Sequence, residues 1–344
     1  MRFILAALAL AGSVASQAEV RFLGRVNPET QELTWPGTGV SFTFTGTSAT
    51  IGVTSIQGSS SAELTVDGEP TVIANVDGDI STEGLSEGEH TVVLRKRSGS
   101  DFGSFAISEV TTDGTFVAEE PPERQIEVIG DSISVGYGLD GTNPCANSAE
   151  VENNPKTYGV LAAEALGADY SIVAWSGRGL TRNYMDPSLD NAPLLPELYT
   201  RYGANDPADS YTFPEEWSPD VVVINLGTND WGYLDVRDPI DPAVFTEAMV
   251  EFVQSIQGHY PDATYFLLAS PMLNDDYPTA QDAQHSTHAE ALQNAITKLG
   301  GDNVHFLDWP PQGQNVGCDY HPNAETHAAQ GEVLAEAIAA ELGW

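Results

Sequence analysis

The chemistry this chain could perform is carried by Ser132, His321, Asp319, Gly177 and Asn229, spread over almost two hundred positions. Ser132 closes the run Ile126-Glu127-Val128-Ile129-Gly130-Asp131-Ser132, β-forming residues that stop at a small residue and leave a hydroxyl behind. Open α/β sheets bind ligands in the crevice beyond the carboxyl ends of their strands, so this hydroxyl stands where a nucleophile would. Attack on an acyl carbon needs a base for the hydroxyl proton and donors for the developing oxyanion. His321, stiffened by Pro322, supplies the base, and Asp319 lies near enough in the same loop to orient its imidazole. The backbone N–H groups of Ser132 and Gly177 and the side-chain amide of Asn229 supply the donors; a glycine there lets the backbone approach closely. Asp131 and Asp230 read as carboxylates that hold loops rather than react.

Each of these stretches, taken singly, is ordinary turn chemistry. What sets them apart is that Trp175-Ser176-Gly177-Arg178-Gly179-Leu180, Leu226-Gly227-Thr228-Asn229-Asp230-Trp231 and Gly317-Cys318-Asp319-Tyr320-His321-Pro322-Asn323 all follow predicted strands. Trp175, Trp231, Trp309 and Tyr320 lie in or near such loops, where an aromatic ring can stack on a sugar or pack into the core. Trp231, Tyr320 and Trp309 are the substrate-contact candidates, with Tyr320 foremost between Asp319 and His321. His285 and His288 lie three apart on a predicted helix without a third ligand nearby, so surface positions are expected and no metal site. His327 could join His321 in a metal pair, a reading set aside with that of His285 and His288, and His90, His259 and His305 read as structural or exposed. Acyl transfer through serine requires no metal or organic cofactor.

The elements that must position these residues fall into two grammars. From position 20 to about 117 the chain alternates apolar and polar residues, as in Val40-Ser41-Phe42-Thr43-Phe44-Thr45, with turn pairs Asp67-Gly68 and Asp77-Gly78. This pattern predicts antiparallel strands and hairpins, and evenly spaced ones imply a β-sandwich over 19–118. Glu119-Glu120-Pro121-Pro122-Glu123-Arg124 is charged and proline-rich and predicts a linker over 119–124. Beyond it, over 125–344, strands at 126–129, 170–174, 221–225, 264–269 and 304–307 alternate with helices at 158–166, 242–257, 280–299 and 324–342. Nearly continuous apolar strands between helices mean a parallel sheet covered on both faces. The proline- and aromatic-rich stretch 186–219 is expected to line the rim of the site.

Length and composition bound the rest. A chain of 344 residues with 41% hydrophobic residues can bury two cores. Thirteen basic against fifty acidic residues give a formal charge of −37, which repels phosphate backbones and anionic membranes and excludes nucleic acid as a partner. Met1-Arg2-Phe3, an apolar run and a small-x-small exit at Ser16-Gln17-Ala18 describe a secretory leader over 1–18. The expected location is therefore extracellular, with no membrane span. Cys145 and Cys318 are the two cysteines, and export makes a disulfide between them the expectation. No Asn-x-Ser/Thr acceptor occurs.

Gly130-Asp131-Ser132, the Gly177 turn, Gly227-Thr228-Asn229-Asp230 and His321-Pro322 together, in this order, resemble the GDSL/SGNH hydrolases. Phe22-Leu23-Gly24-Arg25, Trp35-Pro36-Gly37-Thr38-Gly39, Ser176-Gly177-Arg178-Gly179 and the block from Gly317 to Pro322 resemble carbohydrate esterase family 2 within them, over nearly the whole mature chain. The resemblance implies an N-terminal jelly roll followed by a flavodoxin-like three-layer domain. It further implies a secreted acetyl xylan esterase-like enzyme that deacetylates plant-wall polysaccharide (xylan or glucomannan), with acetylated poly- or oligosaccharide as partner and a monomeric state. General members of the superfamily place the acid three residues before the histidine, and Cys318 occupies that position here. Asp319 lies two before, so either its carboxylate completes a triad or a backbone carbonyl orients His321 in a dyad. A Cys145–Cys318 bridge would tie the histidine loop to the loop after the nucleophile. The alternatives are a lipase or lysophospholipase, which should show an apolar lid, and a non-catalytic glycan-binding protein, which could dispense with the serine–histidine pair.

Overall fold

Alternation along Gly39–Gly46 turns Val40, Phe42 and Phe44 inward, each 0% exposed, against Ile51, Val92, Leu94, Phe105 and Ile107. The structure is a computed structural model and describes residues 13–14, 19–82, 84–234, 236–309 and 312–344. Two antiparallel sheets form this sandwich. One orders Thr115–Val117, Gly39–Gly46, Gly88–Lys96, Ala62–Val66 and Glu69–Ile73, with Arg21–Leu23 also on Gly39–Gly46. The other is built on Gly103–Thr112 paired with Ala49–Gly58, flanked by Glu32–Leu33 and Ile80–Ser81. The expected leader lies outside the described residues except for Ser13–Val14, which pair with Thr112 and Thr111. In the stretch expected as a linker, Glu119 accepts hydrogen bonds from the Ser41 and Thr43 hydroxyls (2.8 and 2.7 Å), so its start lies against the sandwich.

The second half is a five-stranded parallel sheet ordered Asp169–Ala174, Gln125–Gly130, Val221–Asn225, Thr264–Leu268, Val304–Leu307. This is the doubly wound order 2-1-3-4-5, whose switch point lies beside the first strand. Alternate residues serve opposite faces. Ile129, Val222, Ile224 and Leu267 pack with Phe245, Met249, Phe252 and Leu292 of helices Pro242–Gln257 and Gln284–Leu299. Val128, Val221, Val223 and Phe266 pack with Tyr158, Ala162, Leu334 and Ile338 of Tyr158–Ala165 and Ala324–Leu342. Burial on both faces is why the strands read as unbroken apolar runs.

The helix expected from 280 begins instead at Gln284. Asp282 accepts hydrogen bonds from Thr279 N (3.0 Å) and from the Tyr233 hydroxyl (2.8 Å), which holds a turn there, and Ala283 is left-handed at φ 40°. The stretch 186–219 also departs from expectation. Its first residues border the site, but Tyr199 and Tyr211 lie in the contact between the two halves. There the Arg25 guanidinium sits over their rings (4.6 and 3.7 Å) and pairs with Glu127 at 2.8 Å, both side chains fully buried.

Candidate active site

Gly130 ends the first strand in register with Ala174 and Asn225. A Cβ on it would lie 2.0 Å from Ser134 Oγ and 3.1 Å from the Asn225 carbonyl, so only glycine allows the turn to fold back this tightly. Asp131 then caps the short helix Ser132–Val135, accepting from Ile133 N at 3.0 Å, as carboxylates do at helix N-termini. Burial, only partly offset by that N–H, pushes Asp131 up to about 7. Ser132 is thus the first residue of a helix whose opening N–H groups have no intrahelical partner.

His321 reaches it from the far end of the sheet. The Cys145–Cys318 disulfide is present, with Cα atoms 4.7 Å apart. Cys318 N donates to the Gly138 carbonyl (3.0 Å) and Asp319 N to that of Cys145 (3.3 Å). Gly138 has φ 59°, and a Cβ there would stand 2.6 Å from Cys318 Cβ. So pinned, the loop places His321 Nε2 2.8 Å from Ser132 Oγ.

The Asp319 carboxylate does not meet the imidazole, which corrects its assignment as third triad member. One residue separates Asp319 from His321, and both Asp319 and Tyr320 are left-handed (φ 49° and 65°). That turn presents the Asp319 carbonyl oxygen, not its side chain, to His321 Nδ1 at 3.2 Å. The carboxylate instead accepts the Tyr137 hydroxyl at 2.9 Å. With Nδ1–H facing a carbonyl, Nε2 is the bare nitrogen that faces the serine. Desolvation, outweighing the Asp319 carbonyl and charge, pulls His321 from 6.5 down to about 4, so the imidazole is neutral at neutral pH.

The second strand leads into a turn closed by Arg178 N to the Trp175 carbonyl (3.2 Å), with Gly177 at φ 77°. Among the described residues neither the Ser132 nor the Gly177 N–H has a partner. Asn229 comes to the same place from the third strand, its amide donating to the Arg178 carbonyl (2.8 Å) and, at greater length, to Asp131 Oδ2 (3.3 Å). Asp230, fully buried, receives Leu180 N (3.0 Å), Thr181 N (2.7 Å), Arg182 N (3.1 Å) and the Thr181 hydroxyl (2.7 Å), and so fixes the segment after Gly177. A cleft of about 640 Å³ lined by polar Arg182, Asn183, Asp190 and Arg237 and by apolar Pro193 and Leu194 adjoins it; Tyr184 and Leu189 of its wall flank Gly177.

Two expected substrate aromatics are core residues. Trp231 is 3% exposed, donates to Thr287 Oγ1 (3.0 Å) and packs edge-on against Phe245 and His288. Trp309 is 2% exposed and packs against Tyr158. Tyr320, 67% exposed, is free to meet a ligand. His288 is buried, not a surface residue: its Nε2 bonds the Leu226 carbonyl (3.0 Å), while His285 lies 3.2 Å from Asp308. Sequence reasoning missed Tyr137 and Tyr184. Tyr137 stands between Gly136 and Gly138 directly after the Ser132 turn, a placement that could have singled it out.

Residues 128–329 match the GDSL-like Lipase/Acylhydrolase family, and residues 22–121 match the carbohydrate esterase 2 N-terminal family. The chain belongs to this lipase/acylhydrolase family, in its carbohydrate esterase family 2 branch, and is a carboxylic ester hydrolase. A solved carbohydrate esterase family 2 enzyme plus carbohydrate binding domain, from Corynascus thermopiles (Myceliophthora fergusii), is 65% identical at a TM-score of 0.92, covering 94% of this chain and 100% of that one. The acetylxylan esterase / glucomannan deacetylase of Cellvibrio japonicus is 30% identical over 315 residues, 86% of this chain and 82% of its own length. The cellulase/esterase CelE of Acetivibrio thermocellus is 33% identical over 335 residues, 92% of this chain; the chain spans 38% of that relative's length. Among the described residues no helix is long and apolar enough to cross a membrane.

Proposed function

We propose that this protein is exported and removes O-acetyl groups from plant cell-wall polysaccharides, xylan and glucomannan, through an acyl-enzyme on Ser132. His321 Nε2 takes the proton as Ser132 Oγ attacks the acetyl carbon, and the oxyanion is met by the Ser132 and Gly177 N–H groups and by the Asn229 amide, which gives up its long 3.3 Å hydrogen bond to Asp131 for it. The imidazolium returns its proton to the departing sugar oxygen as the ester C–O bond breaks. Water, deprotonated by the same nitrogen, then attacks the acetyl-serine, releasing acetate and restoring the hydroxyl. The Asp319 carbonyl holds the imidazole in the tautomer this cycle needs.

The observation that supports this reading most is the 2.8 Å Ser132–His321 contact beside two unpaired N–H donors. The neighbouring cleft mixes hydrogen-bonding groups (Arg182, Asn183, Asp190, Arg237) with apolar ones (Leu189, Pro193, Leu194), a lining that accommodates the hydroxyls and the apolar ring faces of a sugar. Ser132→Ala should lower acetate release from acetylated xylan and acetylated glucomannan by more than ~1000-fold. Equal release by both proteins refutes the mechanism, and faster cleavage of long-chain than of acetyl esters points to the lipase alternative.

A further inference from the structure

We propose that Tyr137 is a positioning residue for His321 and that the Asp319 carboxylate acts on the imidazole through it. The inference rests on Ser132 and His321 being the reacting pair. Three contacts close a ring. Asp319 Oδ2 accepts the Tyr137 hydroxyl at 2.9 Å, the Tyr137 ring stacks on the imidazole (centroids 4.1 Å apart, planes at 28°), and His321 Nδ1 meets the Asp319 carbonyl at 3.2 Å. A fourth contact ties the ring to the nucleophile, because Tyr137 N donates to the Ser132 carbonyl at 3.0 Å.

The backbone on both sides of Tyr137 is fixed. Gly136 (φ 85°) ends the nucleophile helix and donates to the Ser132 and Ile133 carbonyls (3.1 and 3.2 Å). Gly138 donates to Asn147 Oδ1 (2.9 Å) and accepts from Cys318 N. The side chain between them lies across the face of His321. There it does what a triad carboxylate does elsewhere by another route. It stops the imidazole from swinging, excludes water from one face of it, and presents a π-face to the cation formed when the serine proton arrives. A neutral carbonyl at 3.2 Å orients Nδ1 but offers that cation little charge; the Asp319 carboxylate spends its own hydrogen bond on the brace. Asp319, Tyr137 and the buried His327 are the titratable groups around the imidazole, with Glu152 and Tyr184 beyond Tyr137.

The test measures kcat, KM and the pH profile on a soluble aryl acetate for Tyr137→Phe, Tyr137→Leu, Asp319→Asn, Asp319→Ala and Tyr137→Phe/Asp319→Ala, with thermal melts to confirm folding. Tyr137→Phe and Asp319→Ala should each lower kcat about 3- to 10-fold at unchanged KM, and the double variant no further, since both break one contact. Asp319→Asn, which still accepts the hydroxyl, should keep most of the activity. Tyr137→Leu should lower kcat on the order of 100-fold and move the acid limb upward as His321 regains water. A loss near ~10⁴-fold in Asp319→Asn, the size expected when a triad carboxylate is removed, overturns the proposal, as do additive effects in the double variant. Ser132→Ala separates the two levels. Activity surviving there overturns the reacting pair and this proposal with it. Activity lost there but intact in both Tyr137 variants overturns the brace alone.

Discussion

Reducing the Cys145–Cys318 bridge should cost the protein both stability and turnover, and the two losses are separable. The bridge spans a sequence separation of 173. In the chain-entropy model a loop of that length stabilises the folded state by about 5 kcal/mol. At about 2.1 cal/mol/K per residue, a chain of 344 residues unfolds with an entropy near 0.7 kcal/mol/K, so the melting temperature should fall by about 7 °C. Well below that temperature the reduced protein keeps its fold, because Cys318 N and Asp319 N still donate to the Gly138 and Cys145 carbonyls. What it loses is the covalent clamp three residues from His321, and a displacement of about 1 Å at a reacting group costs on the order of 100-fold. Calorimetry and aryl-acetate kinetics on the wild type with and without reductant, and on the Cys145→Ser/Cys318→Ser variant, measure both. A drop in kcat of about 10- to 100-fold with an almost unchanged KM is expected in the folded, reduced state. Full activity there would show that the hydrogen bonds alone hold the histidine loop, and an unchanged melting temperature would refute the entropic account.

The depressed His321 value fixes the sign of the pH dependence. The base works when neutral, so activity is present above the titration and lost as pH falls through about 4. At pH 5 about 90% of the imidazole stays neutral, against about 3% for a histidine titrating at 6.5; an acid limb of kcat/KM near 6.5 would show that burial does not depress it. Asn229→Ala should lower kcat by about 100- to 1000-fold with little change in KM. A loss under about fivefold would leave the Ser132 and Gly177 N–H groups as the whole oxyanion hole.

The sheet was legible because burial on both faces writes strands as apolar runs, and two helices begin where Pro242 and the Asn323 cap announce them. The third helix was read four residues too long because Asp282 closes its turn through Tyr233, far away in sequence. The candidate site residues stood out by type and by position after strands. Direction was the hidden quantity. Nothing in the spacing of Trp231 or His288 tells that both turn inward onto Phe245. Nor does an Asp-Tyr pair signal two successive left-handed residues, a conformation most side chains avoid, yet that turn decides whether the carboxylate or the carbonyl faces the imidazole.

The contact between the two halves was the least legible part, and it bears directly on the site. Trp35, from the sandwich, is buried in the core of the α/β half, its indole donating to the Tyr202 carbonyl at 2.8 Å and meeting Trp175 edge-on. Asp101 accepts the Trp175 indole N–H, two residues before Gly177. Gly99 N donates to Glu152, which also accepts from Asn147, whose oxygen receives Gly138 N beside the histidine loop. The sandwich therefore touches the supports of both the oxyanion turn and the base. Separating the halves would strand the Arg25 and Glu127 charges, and a buried ion pair broken on one side costs about 3–5 kcal/mol. A half so dependent on its neighbour carries part of its candidate-site architecture in the other domain, which is why strand and loop signals in residues 125–344 alone could name candidate groups but not what holds them.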